Sequence, residues 1–175
     1  NKKINTSDDI IILNKQFDGE KLQWQVPEGK WTILRFVCSN TGQHLIIPSP
    51  NSDGLQIDFL DPKATTRYLQ HILNRLRITK QNAKNSGLSY LSFDSMELDE
   101  ATAWTGSMDS IFFAHNGYDV LPYLPAFAGW QLPDGNDIFL QQYKKTVSDQ
   151  LIFSHYKTGR DFLAEYGIQL NAEAG

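Results

Sequence analysis

Leu88-Ser89-Tyr90-Leu91-Ser92-Phe93-Asp94-Ser95-Met96-Glu97 is the stretch that decides how this chain folds. Gly87 precedes it. An aliphatic and aromatic run then turns abruptly acidic. A short apolar run of this kind, behind a glycine and a long helical pattern, predicts a buried strand. In parallel α/β architectures the C-terminal ends of strands are where side chains meet ligands. Asp94 and Glu97 fall at that end. A second stretch repeats the arrangement: Gly167, then Ile168-Gln169-Leu170-Asn171, then Glu173. Two passages from helix to strand each deliver an acid just past the strand.

The segments around these two strands are helical. Asp61 is placed to cap a helix whose first position is Pro62. Tyr68, Leu69, Ile72, Leu73 and Leu76 then fall on one stripe. Lys80, Lys84 and Gly87 suit its C-terminal end. A second helical pattern carries Ala101, Trp104, Met108, Ile111 and Phe112 and stops at Asn116-Gly117. A third runs from about 137 to 166, with Gly159 able to bend it and Gly167 to close it. Tyr118 to Pro125 predicts an extended connection, because Pro122 and Pro125 lack a ladder donor.

Toward the N-terminus the pattern changes to β. Ile10 to Phe17, Leu22 to Val26 and Trp31 to Val37 have strand character, with turns at Asp18-Gly19 and Pro27-Glu28-Gly29-Lys30. Ser39 to Gly54 has loop composition, and Leu55 to Leu60 is a short strand candidate ending near Asp58. The expected organisation is the trailing part of a β-rich element over 1–30, then an α/β region over 31–175. Alternating helices and strands with polar strand ends predict a (β/α) barrel or an open α/β sheet. A full eightfold barrel takes about 250 residues, so the expectation for these 175 is the first part of one, preceded by a short antiparallel β element, or else a smaller fold.

Composition narrows the functional classes. A net charge of −4 without a basic run gives no footprint for nucleic acid. No apolar stretch is long enough to span a bilayer. Cys38 is the single cysteine, which excludes an internal disulfide and a zinc-thiolate site. Its strand-like setting predicts a small buried residue.

Two carboxyls facing each other across a sugar are what glycosidic hydrolysis requires. One protonates the leaving oxygen, and the other activates water or attacks directly. Glu97 and Glu173, at the ends of neighbouring strands, are the candidate pair. A second reading stands beside this one: Asp94 or Ser95 as a helix N-cap, with Glu97 as its capping-box partner. Asp94, Asp58, Trp104 and His44 are candidate substrate contacts, and Asp58 is equally a candidate metal ligand. Each also has a structural reading: a cap for Asp94, a strand-end acid for Asp58, core packing for Trp104 and a solvated loop group for His44. Arg35 is expected to pair with a buried acid. His71 and His155 are expected to be structural or solvated, and His115 suits a helix C-terminus.

Several blocks occur in order across the chain: Pro27-Glu28-Gly29-Lys30-Trp31-Thr32-Ile33-Leu34-Arg35, Thr41-Gly42, Gly54-Leu55 with Asp58, and Asp94-Ser95-Met96-Glu97 with Trp104-Thr105. Gly117-Tyr118-Asp119, Pro122-Tyr123-Leu124-Pro125, Gly129 and Ala172-Glu173-Ala174-Gly175 complete the series. Together they resemble glycoside hydrolase family 106, whose characterised members are α-L-rhamnosidases. The resemblance implies a (β/α)8 catalytic barrel with appended β domains and a carbohydrate substrate. It implies inverting cleavage of terminal α-L-rhamnosyl residues, with Glu97 as general acid and Glu173 as general base acting through water. It also implies a calcium ion near the sugar, a polypeptide that continues beyond Gly175, and an exported bacterial enzyme. Met96 and Gly106-Ser107-Met108 depart from the bulkier aromatic or charged residues the pattern leads one to expect. The alternative is a non-catalytic carbohydrate-binding relative.

Overall fold

The computed structural model describes residues 2–44, 49–51, 53–94 and 103–173. They divide into two compact units, and the division does not follow chain order. One unit is Asn1–Val37 with Ser107–Lys144; the other is Cys38–Gly106 with Lys145–Gly175.

The second unit holds the strands. Helix α1, Pro62–Arg75, starts as its residues dictate: Asp61 accepts the Lys63 N–H at 2.9 Å, and Pro62 fills the first turn. Leu69 and Leu73 are fully buried, whereas Tyr68 and Leu76 stay exposed, so the apolar stripe is narrower than expected. The end of α1 also differs from expectation. Lys80, Lys84 and Gly87 lie beyond it, and Arg77 closes it in the left-handed region at φ 57°. The Arg77 N–H bonds to the Asn74 carbonyl (3.0 Å) and the Ile78 N–H to the Leu73 carbonyl (2.8 Å). That pair of bonds defines a Schellman motif, and its apolar contact is between the buried Leu73 and Ile78.

Strand β1, Tyr90–Phe93, and strand β2, Gln169–Ala172, form a parallel pair, with Phe93 opposite Ala172. Both predicted strands are present, and they are neighbours. A parallel pair needs a long crossover, and the helical third region supplies part of it. Helix α2 is Met108–Asn116, α3 is Asp137–Leu151 and α4 is Thr158–Ala164. Between α3 and α4, Ile152–Lys157 forms a π-helical turn. A second Schellman motif ends this run: Gly167 at φ 70°, with Gly167 N–H to Ala164 O (3.0 Å) and Ile168 N–H to Leu163 O (3.1 Å). Leu69, Leu73, Ile78, Ala83, Phe93, Leu163 and Ile168 make the unit's core. Leu55 to Leu60 is not a ladder strand; Leu55 makes one antiparallel bridge, to His44.

In the first unit the expected antiparallel element reduces to one described bridge, Phe17 with Leu22, around the Asp18-Gly19 turn. Asp18 Oδ1 accepts the N–H groups of Glu20 and Lys21, at 2.9 and 2.7 Å. Asn14–Gln16 is a 3-10 turn, and among the described residues 22–26 and 31–37 form no ladder beyond that bridge. Alternation marks an apolar face, but a strand exists only where a second backbone run takes up its polar groups. Val26, Ile33, Val37 and Cys38 are exposed, so the expectation of a buried cysteine is also corrected. Arg35 lies over the Phe17 ring, 4.9 Å from its centroid. Leu121–Ala128 is a 3-10 helix rather than an extended connection, with Pro122 in its first turn and Leu124, Pro125 and Ala126 buried. An aromatic cluster joins the buried aliphatic residues of this unit: Phe112, Tyr118, Tyr123, Phe127, Phe139 and Tyr143 contact one another edge-on, tilted or stacked.

Candidate active site

Asp94 directly follows β1 and Glu173 directly follows β2, both exposed. The ladder does not stop at Ala172. The Glu173 N–H donates to the Phe93 carbonyl at 3.0 Å, as the Gln169 N–H does to Ser89 at the other end. Glu173 is therefore held in register beside Asp94. Leu91, Phe93 and Leu170 lie on the helix-covered face of the pair. By the two-residue period of a strand, Ser92 and Asn171 lie on the opposite, exposed face. The same alternation carries Asp94 and Glu173 onto that polar face.

Phe93 is the hinge of this arrangement. Its ring stacks on the His155 imidazole, with centroids 4.3 Å apart and planes 17° apart. Against its edge lies Gly159, where a Cβ would stand 2.8 and 2.9 Å from ring carbons. Gly159 thus allows α4 to approach the strand, a role that bending alone does not describe. The π-helical turn brings His155 inward. His155 Nδ1 is 3.2 Å from the Thr65 hydroxyl on α1, and the Phe59 ring packs edge-on to the imidazole at 5.0 Å. Burial pushes the His155 pKa down from 6.5 to about 4, so the ring is neutral at ordinary pH. Ser154, also buried, lies within hydrogen-bond distance of the Phe59 and Gln150 carbonyls, and Gln150 Nε2 donates to the Leu60 carbonyl (2.9 Å). These bonds fasten the π-helical turn to the segment entering α1.

The other candidate residues occupy separate places. Glu97 lies outside the described residues, as do Ser95 and Met96. Trp104 is half-buried in a non-helical segment, because α2 starts only at Met108; it is not on that helix's apolar stripe. Asp58 has both carboxylate oxygens engaged, Oδ1 by the Leu60 N–H (2.9 Å) and Oδ2 by the Thr105 hydroxyl (2.7 Å). His44 Nδ1 is 2.8 Å from Asp53 Oδ1 at an exposed position. Among the described residues no three Asp, Glu, His or Cys side chains converge to hold a metal. These described side chains do not by themselves form a calcium cage.

His155 and Gly159 were not legible as parts of the site. The available signal was weak: Ser154-His155 interrupts the third helical pattern with adjacent polar residues, and Gly159 follows within one turn.

An acid carried on each of two neighbouring parallel strands, at the same end, is an arrangement compatible with glycoside chemistry. The family model of glycoside hydrolase family 106, α-L-rhamnosidase, matches residues 1–175, and the chain belongs to that family. A relative from Formosa agariphila named "Putative beta-glucuronidase" is 31% identical over 172 residues, covering 94% of this chain and 14% of the relative. The solved structure of a rhamnosidase from Novosphingobium sp. PP1Y superposes with a TM-score of 0.74 at 25% identity, covering 97% of this chain and 17% of that one. The chain thus spans about one-sixth of these relatives or less. No described helix is long and apolar enough to cross a membrane.

Proposed function

We propose that this chain forms part of the catalytic face of an inverting glycosidase that removes terminal α-L-rhamnosyl residues, built on a (β/α)8 barrel. The observation that carries the reading is the register of Glu173 beside Asp94 at one end of a parallel strand pair. In this reading Glu97 is the general acid and Glu173 the general base. Glu173 takes a proton from water as the water oxygen bonds to the anomeric carbon. The bond to the leaving oxygen breaks on the opposite face, and that oxygen receives the proton of Glu97. Room for the water requires carboxyls about 6.5–9.5 Å apart. Asp94, one residue past β1, is the acid best placed to accept a hydrogen bond from a sugar hydroxyl. Family membership and the solved rhamnosidase favour a rhamnoside; the name of the Formosa relative makes a glucuronide the competing substrate.

The test uses the full-length protein with aryl α-L-rhamnoside and aryl β-D-glucuronide. Hydrolysis of the rhamnoside, with initial release of the inverted anomer by NMR, is expected. Glu97→Gln and Glu173→Gln should each lower kcat by at least about a hundredfold, as removal of a general acid or base does. Turnover of the glucuronide alone would overturn the substrate, and sugar binding without turnover of either would favour a non-catalytic relative.

A further inference from the structure

We infer that His155 is a positioning residue for the acid-bearing strand ends, acting through the ring and carbonyl of Phe93. The catalytic part of this inference rests on the reading of Glu173 as general base; the geometric part does not. His155 is 4% exposed. It presents one face to Phe93 at 4.3 Å, and its ring plane is fixed by the Thr65 hydroxyl and the Phe59 edge. Phe93 is closed in from another side by Gly159. The residue so clamped is the last of β1. Its carbonyl accepts the Glu173 N–H, and its own peptide leads into Asp94. One ring therefore governs the strand end that carries Asp94 and the hydrogen bond that registers Glu173.

His155 lies within the π-helical turn, and Gly159 follows it in α4. An extra residue per turn re-aims the side chains that follow it, which is why such turns recur at functional sites. His155 and Gly159 are four residues apart, a spacing that keeps both on one side of the helix, toward Phe93. Ser154 tethers the turn to the carbonyl of Phe59, the residue whose ring also flanks the imidazole.

Three variants of the full-length protein separate this role from plain core packing. His155→Phe keeps a flat ring against Phe93 and gives up the Thr65 bond. His155→Asn keeps a polar atom near Thr65 and gives up the ring. Gly159→Ala leaves His155 intact and drives a methyl into the Phe93 ring. Each is assayed on aryl α-L-rhamnoside well below its own melting temperature. His155→Asn and Gly159→Ala should lower kcat about tenfold or more with KM within about twofold, because small misplacements of a reacting group cost rate steeply. His155→Phe should recover most of that loss. A change in melting temperature without this kcat effect in His155→Asn and Gly159→Ala would overturn the inference.

Amide exchange read by mass spectrometry on the peptide covering Gln169 to Glu173 gives a readout independent of turnover. His155→Asn should speed its slow exchange several-fold, and His155→Phe should not. Unchanged protection in His155→Asn overturns the inference. Absence of turnover in the unmodified full-length protein, with the exchange result as expected, overturns the rhamnosidase reading alone.

Discussion

The Glu173 N–H donates to the Phe93 carbonyl at 3.0 Å, so an acid far along the chain takes its position from the last residue of another strand. Phe93 is itself fixed from the helical side. The close approach of Gly159 to its ring means that any side chain at 159 would force the Phe93 ring or α4 to shift.

Gly159→Ala should therefore destabilise the protein although alanine favours a helix by about 1 kcal/mol over glycine. A methyl 2.8 Å from a ring carbon forces that ring to move, and overpacking of this kind costs about 1–3 kcal/mol. The expected net change is a loss of about 0–2 kcal/mol, measured by denaturant unfolding of the full-length protein. Phe93→Leu frees space, so the combination Phe93→Leu with Gly159→Ala should cost less than the sum of the two single changes.

The two strands were legible because each is a short apolar run behind a glycine, and because the intervening pattern is helical. The acids at their ends followed from that alone. The N-terminal strands were not legible correctly: alternation in Leu22 to Val26 reports a face, not a partner, and only the Phe17 bridge exists there among the described residues. Trp104 matched helical spacing with Met108, yet the helix begins at Met108. The support beneath the site was hidden because a histidine and a glycine on a helical face do not reveal the ring they pack against; that ring, Phe93, lies far away along the chain.

The two Schellman motifs offer a paired test. Gly167 occupies the left-handed position in one and Arg77 in the other, at φ 70° and 57°. A side chain in that region costs about 1–2 kcal/mol, and Asn82 offsets part of it by donating Nδ2–H to the Arg77 carbonyl at 3.0 Å. Arg77→Gly should raise stability by about 0.5–1 kcal/mol, and Gly167→Ala should lower it by about 1 kcal/mol. Thermal melts of the two variants check the opposite signs, and a fall in both would mean that the Arg77 side chain contributes contacts of its own.

Asp58 and Thr105 give a test of scaffold against ligand. Both oxygens of Asp58 are occupied within the fold, one by the buried Thr105. Thr105→Val removes the hydroxyl donor and should cost about 1 kcal/mol. If Asp58 serves the fold, Thr105→Val and Asp58→Ala both lower the melting temperature and leave KM for the aryl rhamnoside within about twofold. A rise in KM for Asp58→Ala that Thr105→Val does not share would make Asp58 a sugar contact instead.

His155 sets a pH dependence with a definite sign. Its pKa is lowered by burial to about 4 in the folded protein, against 6.5 for the exposed side chain. Between those values the unfolded chain binds a proton that the folded chain does not, so the unfolded state gains as pH falls. The stability present above pH 6.5 is lost progressively down to about pH 4, and the full window corresponds to about 3 kcal/mol. Carboxylates titrate over part of the same range, so the readout is a difference: unfolding free energy of the unmodified protein minus that of His155→Phe. That difference should shrink as pH falls from 7 to 4, because phenylalanine has no proton to gain. A difference independent of pH would mean that the imidazole stays in contact with water and that its stack on Phe93 is looser than 4.3 Å implies.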